Sequence, residues 1–407
     1  MPVQPQPTVA LLIETSRAYG RGLCAGVAEY ARNHGGWNFL LQERDLREGI
    51  PEWLPGWQGD GILCRVSDPA LAELLSTAAC PVVDLYGGFR HPAIPFLDTD
   101  AAAVARMAAR FFLDAAFDRF AFCGFPGLWF SDERCGAYVA HLRELGFACH
   151  VYQTPDNSDS GNVAVRESLH PSGSGHLEEW VISLPDHTAI LACNDVRAQQ
   201  LLTVAGRVGR RIPEELAVMG VDDDELICEL TNPRLSSIRP DTRSLGYHAA
   251  QWLETLMRGK PLAARQLLLP PLHVNERAST DVIASTDPVF IRASRYIRSH
   301  AGSATDVCAV VAAAGCSRSS LEMKFGRILG RSVHDEIIRV RIRRACILLA
   351  ETHLTLDHIS TACGFATASH FSRVFKSLME TTPGDYRMGV AKHRLPATYP
   401  KGLFRST

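Results

Sequence analysis

From Thr305 to Arg387 the chain repeats one pattern. Val307, Val310, Val311 and Ala314 have the three-and-four spacing of a helix face, and the run stops at Gly315. Ser317 then stands where an N-cap belongs, because a hydroxyl there accepts from the unpaired N–H groups of a first turn. Leu321 and Phe325 give the next helix its buried face. The pattern returns when Ile359 and Ala362 lead to Gly364, and Phe371 and Phe375 supply the second apolar pair. Gly315 to Phe325 spans ten residues and Gly364 to Phe375 eleven, so the repeat is weak but aligned. Two helix-turn-helix units in series leave few folds open to this part of the chain.

Between the units, Ser332 to Glu351 carries Arg339, Arg341, Arg343 and Arg344 opposite an Ile/Val/Leu face. About twenty helical residues span roughly 30 Å. Successive major grooves on one face of DNA lie about 34 Å apart. One rigid body of this size can set two helices in adjacent grooves. Charge agrees with that use. From Pro288 onward there are 18 Lys/Arg against 8 Asp/Glu, a net of +10, although the whole chain has 42 against 44. The residues before Pro288 therefore carry −12. A basic third attracts phosphates and an acidic two-thirds does not. A solvated face is the bland reading of a basic helix; its coincidence with helix-turn-helix punctuation favours nucleic acid.

At these residues a resemblance becomes specific. Ile359-Ser-Thr-Ala-Cys-Gly364-Phe365, Ser369-His370-Phe371, Phe375-Lys376, Thr382-Pro383 and Tyr386-Arg387 resemble the signature of the AraC/XylS family of transcription regulators. The match runs from Asp287 to Arg387. One departure stands out: Met379-Glu380-Thr381 occupies a turn where that family usually has Gly. The resemblance implies double-stranded DNA, a promoter or operator, as partner. It places the groove-facing positions of the first recognition helix at Arg318, Ser319, Glu322 and Met323, and those of the second at Ala368, Ser369, Ser372 and Arg373. Chemistry adds roles. Glu322 can accept from a cytosine amino group, Met323 can meet a thymine methyl, and Arg373 can pair with guanine O6 and N7. Lys376 and Arg387 suit phosphates, which set register without carrying sequence information.

The preceding residues read differently. Val9 to Ile13 is a continuous apolar run, as in a strand buried on both faces. A helix from Arg21 to Asn33 follows, then strands at Trp37–Leu41, Ile62–Cys64 and Pro81–Leu85, with Asp68 capping a helix to Ala79. Strand–helix alternation restarts at Phe120–Gly124, continues through Ala189–Cys193 and ends at Leu216–Val221. Such alternation argues doubly wound parallel sheets, whose ligands bind beyond the carboxyl ends of the strands. Ser16, Arg17, Tyr19, Arg65, Ser67 and Tyr86 fall in those positions in the first half. Hydroxyls, a guanidinium and aromatic faces suit a sugar, through hydrogen bonds and ring stacking. The loop Phe125–Arg134 adds Trp129 and Phe130.

Glu133-Arg134-Cys-Gly136, Asn194-Asp195-Val-Arg-Ala198, and Ile212-Pro213 through Val218-Met-Gly-Val-Asp222-Asp223 resemble the sensor domain of the LacI/GalR family. That resemblance implies a bilobed, periplasmic-binding-protein-like sensor in which Arg134, Asn194 and Asp222 hold sugar hydroxyls, with Asp195 beside them. Charge-assisted hydrogen bonds from a guanidinium and a carboxylate suit adjacent hydroxyls. The expected organisation is a sensor over residues 1–275, a linker over 276–287, an all-α DNA-binding domain over 288–393 and a tail over 394–407. The combined architecture resembles regulators of bacterial pentose operons. It implies a monosaccharide effector, a pentose of the D-xylose type, with another monosaccharide as the alternative. It implies activation, hence RNA polymerase as a partner, with repression as the alternative, and a homodimer.

Other classes fit less well. There is no apolar run near twenty residues and no basic-then-apolar leader, so a cytoplasmic protein without a membrane span is expected. A sugar-transport binding protein would need export and would lack the basic third. No G-x-G-x-x-G follows the first strand and no Walker loop appears, which weighs against an α/β enzyme. The twelve cysteines show no C-x-x-C pair. Asp222-Asp223-Asp224-Glu225 lacks the spacing of a calcium loop. No metal or cofactor is expected.

Overall fold

The computed structural model describes residues 6–42, 50–66, 69–153, 175–282, 284–285, 287–303 and 305–392. Two compact units result. One holds the residues up to Ala108 together with Arg119–Asp281; the other holds Ala109–Asp118 together with the residues from Val282 on.

Among the described residues, the first unit contains two six-stranded sheets. Sheet A is built from β1 (Thr8–Leu12), β2 (Asn38–Leu41), β3 (Gly61–Cys64), β4 (Val82–Asp84), β5 (Phe96–Thr99) and β11 (Gln266–Leu269), in the order β11-β5-β4-β3-β1-β2. All its pairings are parallel. Sheet B is built from β6 (Arg119–Cys123), β7 (Cys149–Val151), β8 (Thr188–Ala192), β9 (Leu216–Val221), β10 (Ser236–Arg239) and β12 (His273–Asn275), in the order β12-β10-β9-β8-β6-β7. Only β12 runs antiparallel to its neighbour. The central strands β1, β3, β8 and β9 are apolar and almost wholly buried, as strands covered on both faces must be. The doubly wound, two-lobed architecture expected for this part is therefore present.

The lobes are not consecutive halves of the chain. After β10 the chain returns to the first lobe, where α8 (Thr242–Met257; the helices are numbered here as they lie along the chain) packs on α1 (Ala18–Asn33). Leu245, Ala249 and Leu253 join Val9, Leu11 and Leu23 in one core. The two helices touch backbone to backbone. A Cβ on Gly26 would stand 1.9 Å from the Arg243 carbonyl oxygen, and one on Gly246 2.0 Å from that of Leu23. Strand β11 then completes sheet A before β12 completes sheet B. The compact packing also passes the boundary expected at 275. Ser279 and Thr280 are fully buried, and Ser279 Oγ donates to the Val218 carbonyl at 2.6 Å while accepting from Ser236 N at 2.8 Å.

The second unit is helical where the C-terminal part of the chain is described. It comprises α9 (Pro288–Ser299), α10 (Val307–Ala314), α11 (Arg318–Leu329), α12 (Val333–Glu351), α13 (Leu356–Ala362), α14 (Ala368–Met379) and α15 (Pro383–Lys392). The caps act as their residue types dictate. Ser317 accepts from Ser320 N, Thr367 accepts from His370 N, and Ser332 forms a capping box with Asp335. Helix α12 serves two cores. Val333 and Ile337 pack with Phe290, Val310, Leu321 and Phe325. Ile342, Ala345 and Leu349 pack with Ile359, Phe365, Phe371, Phe375 and Tyr386. Glu380 takes the left-handed conformation, φ 55°, that Gly330 takes at the matching turn, φ 67°. The turn keeps its geometry without its usual glycine. The tail 394–407 lies outside the described residues.

Candidate functional site

At the carboxyl edge of sheet A, α1 begins at Ala18, three residues before the expected start, so Tyr19 sits in its first turn rather than in a loop. Its hydroxyl donates to Asp98 Oδ1 at 3.1 Å and lies 3.0 Å from Thr99 Oγ1. Arg65, just past β3, pairs with Glu14 and lies over the rings of Tyr19 and Tyr86, 4.9 and 5.0 Å from their centroids. Burial is the largest single influence on Arg65 and opposes its charge, but Glu14, Tyr19, Tyr86 and Asp98 together outweigh it and raise the guanidinium pKa above its usual value. Asp98 is pushed up to about 6, chiefly by burial. Asp84 is pushed up to about 7 by burial, although Val66 N and Gly87 N both donate to it. Ser16 is exposed, Arg17 forms the N-cap of α1 with no side-chain cap, and Ser67 lies outside the described residues.

Across from this edge, in the second lobe, α4 spans Trp129–Glu144. Trp129 and Phe130 therefore open a helix instead of riding a loop. The Asp132 carboxylate accepts from Gly127 N, which closes the turn that leads into it. Arg134 is buried one turn on. It donates to the Cys193 carbonyl, lies 5.6 Å from the Phe130 centroid, and reaches Asp222 Oδ1 at 3.6 Å. Asp222 follows β9 with φ 113°, and Asp223 has φ 49°. Successive non-glycine residues in the left-handed region store backbone strain, a common mark of a ligand site. Asn194, also buried, accepts from Arg197 N and so caps α6 (Asp195–Arg207).

Arg90, Phe96, Asp98, Thr99, Trp129, Phe130, Glu133 and Arg134 are among the residues lining a cleft of about 400 Å³ between the two lobes. A direct bond also joins the lobes, from Ala18 N to Asp224 Oδ2 at 2.9 Å. Of the residues picked from sequence, the cleft brings together Trp129 and Arg134, with Asp222 held on Arg134 and Tyr19 on Asp98. It does not include Asp195, whose oxygens accept from Ser237 Oγ at 2.6 Å and Asp224 N at 2.8 Å. Burial and the charge of Asp222 raise its pKa well above the carboxylate range. Asp223 is likewise occupied, by Arg277 at 3.0 Å and Asn275 at 2.5 Å.

Sequence reasoning missed Arg90, Phe96, Asp98, Thr99 and Glu133 as lining residues. Strand β5 was invisible because Asp98 interrupts its apolar run. A signal was present in Asp100, whose carboxylate caps the Ala-rich α3 (Ala101–Asp114) by accepting from Ala102 N and Ala103 N.

In the second unit α11 and α14 present their outward residues alike. Arg318, Ser319 and Met323 are exposed on α11, as are Ser369, Arg373 and Lys376 on α14; Ala368 and Ser372 are half-buried. Glu322 departs from its expected use. Its carboxylate accepts from Val333 N at 3.1 Å, the first N–H of α12. Arg387 also turns inward, donating to the Leu354 carbonyl at 2.6 Å. The arginines of α12 are only partly available to phosphates. Arg341 is buried, donating to the Ser303 and Thr305 carbonyls at 3.0 and 2.7 Å. Arg339 and Arg343 pair with Asp114 at 2.7 and 3.1 Å, and Arg331 joins them at 3.2 Å. Burial alone would raise the Asp114 pKa; the three guanidiniums overcome it and hold the carboxyl below its usual range.

Three family profiles match the chain: a periplasmic binding protein-like domain over residues 109–280, a XylR N-terminal domain over residues 8–102, and a helix-turn-helix domain over residues 310–389. The chain is 32% identical over 387 residues to the xylose operon regulatory protein of Escherichia coli (strain K12), covering 93% of this chain and 96% of that one. It is 30% identical over 388 residues to the protein of the same name in Haemophilus influenzae, covering 93% and 98%. It is similar to the solved structure of the xylose-binding transcription activator xylR, with 31% identity, a TM-score of 0.59, and coverage of 95% and 99%. A cellobiose complex of the transcriptional regulator CelR shares the fold over 67% of this chain and 84% of that one, with 24% identity and a TM-score of 0.53.

Proposed function

This chain belongs to the family of the xylose operon regulatory proteins, and on that premise we propose that it is a pentose-responsive activator of transcription with D-xylose as its effector. One observation carries the sugar site: Arg134, 3.6 Å from the Asp222 carboxylate and over the Phe130 ring, lines a cleft that Asp98 also lines from the other lobe. A guanidinium and carboxylates can hold adjacent hydroxyls, while the ring covers a C–H face. Asn194 assists beside Arg134. On DNA, Arg373 reads a guanine, Met323 a thymine methyl, and Ser319, Ser369 and Arg318 complete the two groove-facing surfaces, with Lys376 on a phosphate. The regulator works as a cytoplasmic homodimer that contacts RNA polymerase. No helix among the described residues is long and apolar enough to cross a membrane.

The sugar acts by preference between states. It shifts the lobes only as far as its affinity differs between their arrangements, and that difference is all the free energy available to change DNA binding. No sugar is consumed in the process.

Calorimetric titration of the full chain against pentoses and hexoses tests the site. D-xylose is expected to bind most tightly. Asp222→Ala removes a charge-assisted partner and is expected to cost about 1.5–3 kcal/mol of sugar affinity, about ten- to hundredfold. DNA binding without sugar should persist in that variant. Unaltered D-xylose affinity in Asp222→Ala would overturn the assignment.

A further inference from the structure

Arg90 occupies a place that a sugar reading alone does not explain. It lies on the loop after β4, is exposed, and its Nε donates to the Gly87 carbonyl at 3.3 Å. Its guanidinium stands 4.9 Å from the Phe96 centroid and 4.6 Å from that of Trp129. Phe96 belongs to the first lobe and Trp129 to the second. The planar cation thus lies over one aromatic ring from each lobe. Gly88 brings the same loop close: a Cβ there would lie 3.3 Å from Trp129 Cβ.

Of the residues lining the cleft, Arg134 and Phe96 are buried, whereas Arg90, Glu133 and Leu268 are exposed to solvent. An aromatic face can stack on a sugar ring or on a guanidinium, not on both at once. Arg90 therefore fills the stacking slot next to solvent, where a second ring linked to the first would go. The fold does not itself forbid a second ring, since it is seen in complex with the disaccharide cellobiose.

We propose that Arg90 is a specificity residue that restricts the cleft to a single sugar ring by plugging the slot between Phe96 and Trp129. The proposal rests on the pentose reading of the same cleft. Selection works by exclusion: a disaccharide must expel a stacked cation and separate the two rings, whereas a monosaccharide held by Arg134 and Asp222 leaves both in place.

The test is calorimetric titration of the full chain, wild type and Arg90→Ala, with D-xylose and with its β-1,4-linked dimer, xylobiose. Wild type is expected to bind D-xylose and to reject the dimer. Arg90→Ala is expected to gain at least about tenfold in affinity for the dimer while its D-xylose affinity stays within about threefold. Retained D-xylose binding is also the control for folding. A variant that keeps D-xylose binding and still rejects the dimer overturns the gate and leaves the pentose site standing. A variant that loses D-xylose binding makes Arg90 a direct ligand, which also overturns it. A wild-type chain that binds neither sugar overturns the pentose reading, and the gate with it.

Discussion

Helices α11 and α14 stand fifty residues apart and correspond position by position, Arg318 to Ala368 at their starts and Leu329 to Met379 at their ends. Inside, the match is close. Leu321 and Phe325 are fully buried, as are Phe371 and Phe375, and burial alternates identically over 321–330 and 371–380. Outside, the two helices diverge. Met323, 69% exposed, corresponds to Arg373, and Glu322 corresponds to Ser372. The second difference has a backbone cause. Val333 opens α12 with an N–H that needs an acceptor, and Glu322 supplies it. The matching residue that opens α15 is Pro383, which has no N–H, so no carboxylate is needed above it. Packing holds the buried face of a helix-turn-helix constant, while its outward face is free to differ between the two units.

That contrast can be broken experimentally, and the largest expected effect is on DNA. Arg373→Ala should cost about 1–3 kcal/mol on the cognate site and relax the preference at one base position, measured by competition binding across base substitutions. Met323→Ala at the matching position should cost less, about 1 kcal/mol or under, as for a single methyl contact. Equal losses on cognate and random DNA for Arg373→Ala would make that residue a phosphate contact and erase the contrast. A smaller effect concerns the turns. Glu380 bears the cost of a left-handed backbone that Gly330 escapes. Glu380→Gly should stabilise the folded chain by about 0.5–1 kcal/mol, the left-handed penalty of ~1–2 kcal/mol less the extra chain entropy of glycine. Denaturant unfolding measures this; a loss of stability would mean the Glu380 side chain holds the turn.

The fold was legible where a residue type answers a local demand. Gly315 and Gly364 end helices, Ser317 caps one, and Val9–Ile13 or Leu216–Val221 can only be buried strands. What was hidden depended on distant partners. The arginines of α12 read as a basic surface because Asp114 is 225 residues from Arg339 in sequence. Glu322 read as a base contact because nothing in its own helix reveals an unpaired N–H on the next. Of the residues lining the cleft, Arg134 was named by resemblance, and Asp222 pairs with it, whereas Asp98 and Arg90 were not named. Asp98 breaks the strand pattern that would have exposed it, and Arg90 gains meaning only when Phe96 and Trp129, 33 residues apart, close on it.

The decisive question is whether a sugar in the cleft alters how the helix-turn-helix pair engages DNA. The direct measurement is a titration of full-length protein onto its own promoter, with footprinting, in the presence and absence of D-xylose. D-xylose is expected to change promoter affinity by about 5–150-fold, the usual range of coupling between two sites, or to change the protected region. The same affinity and the same footprint with D-xylose, with any other monosaccharide and with none would contradict it.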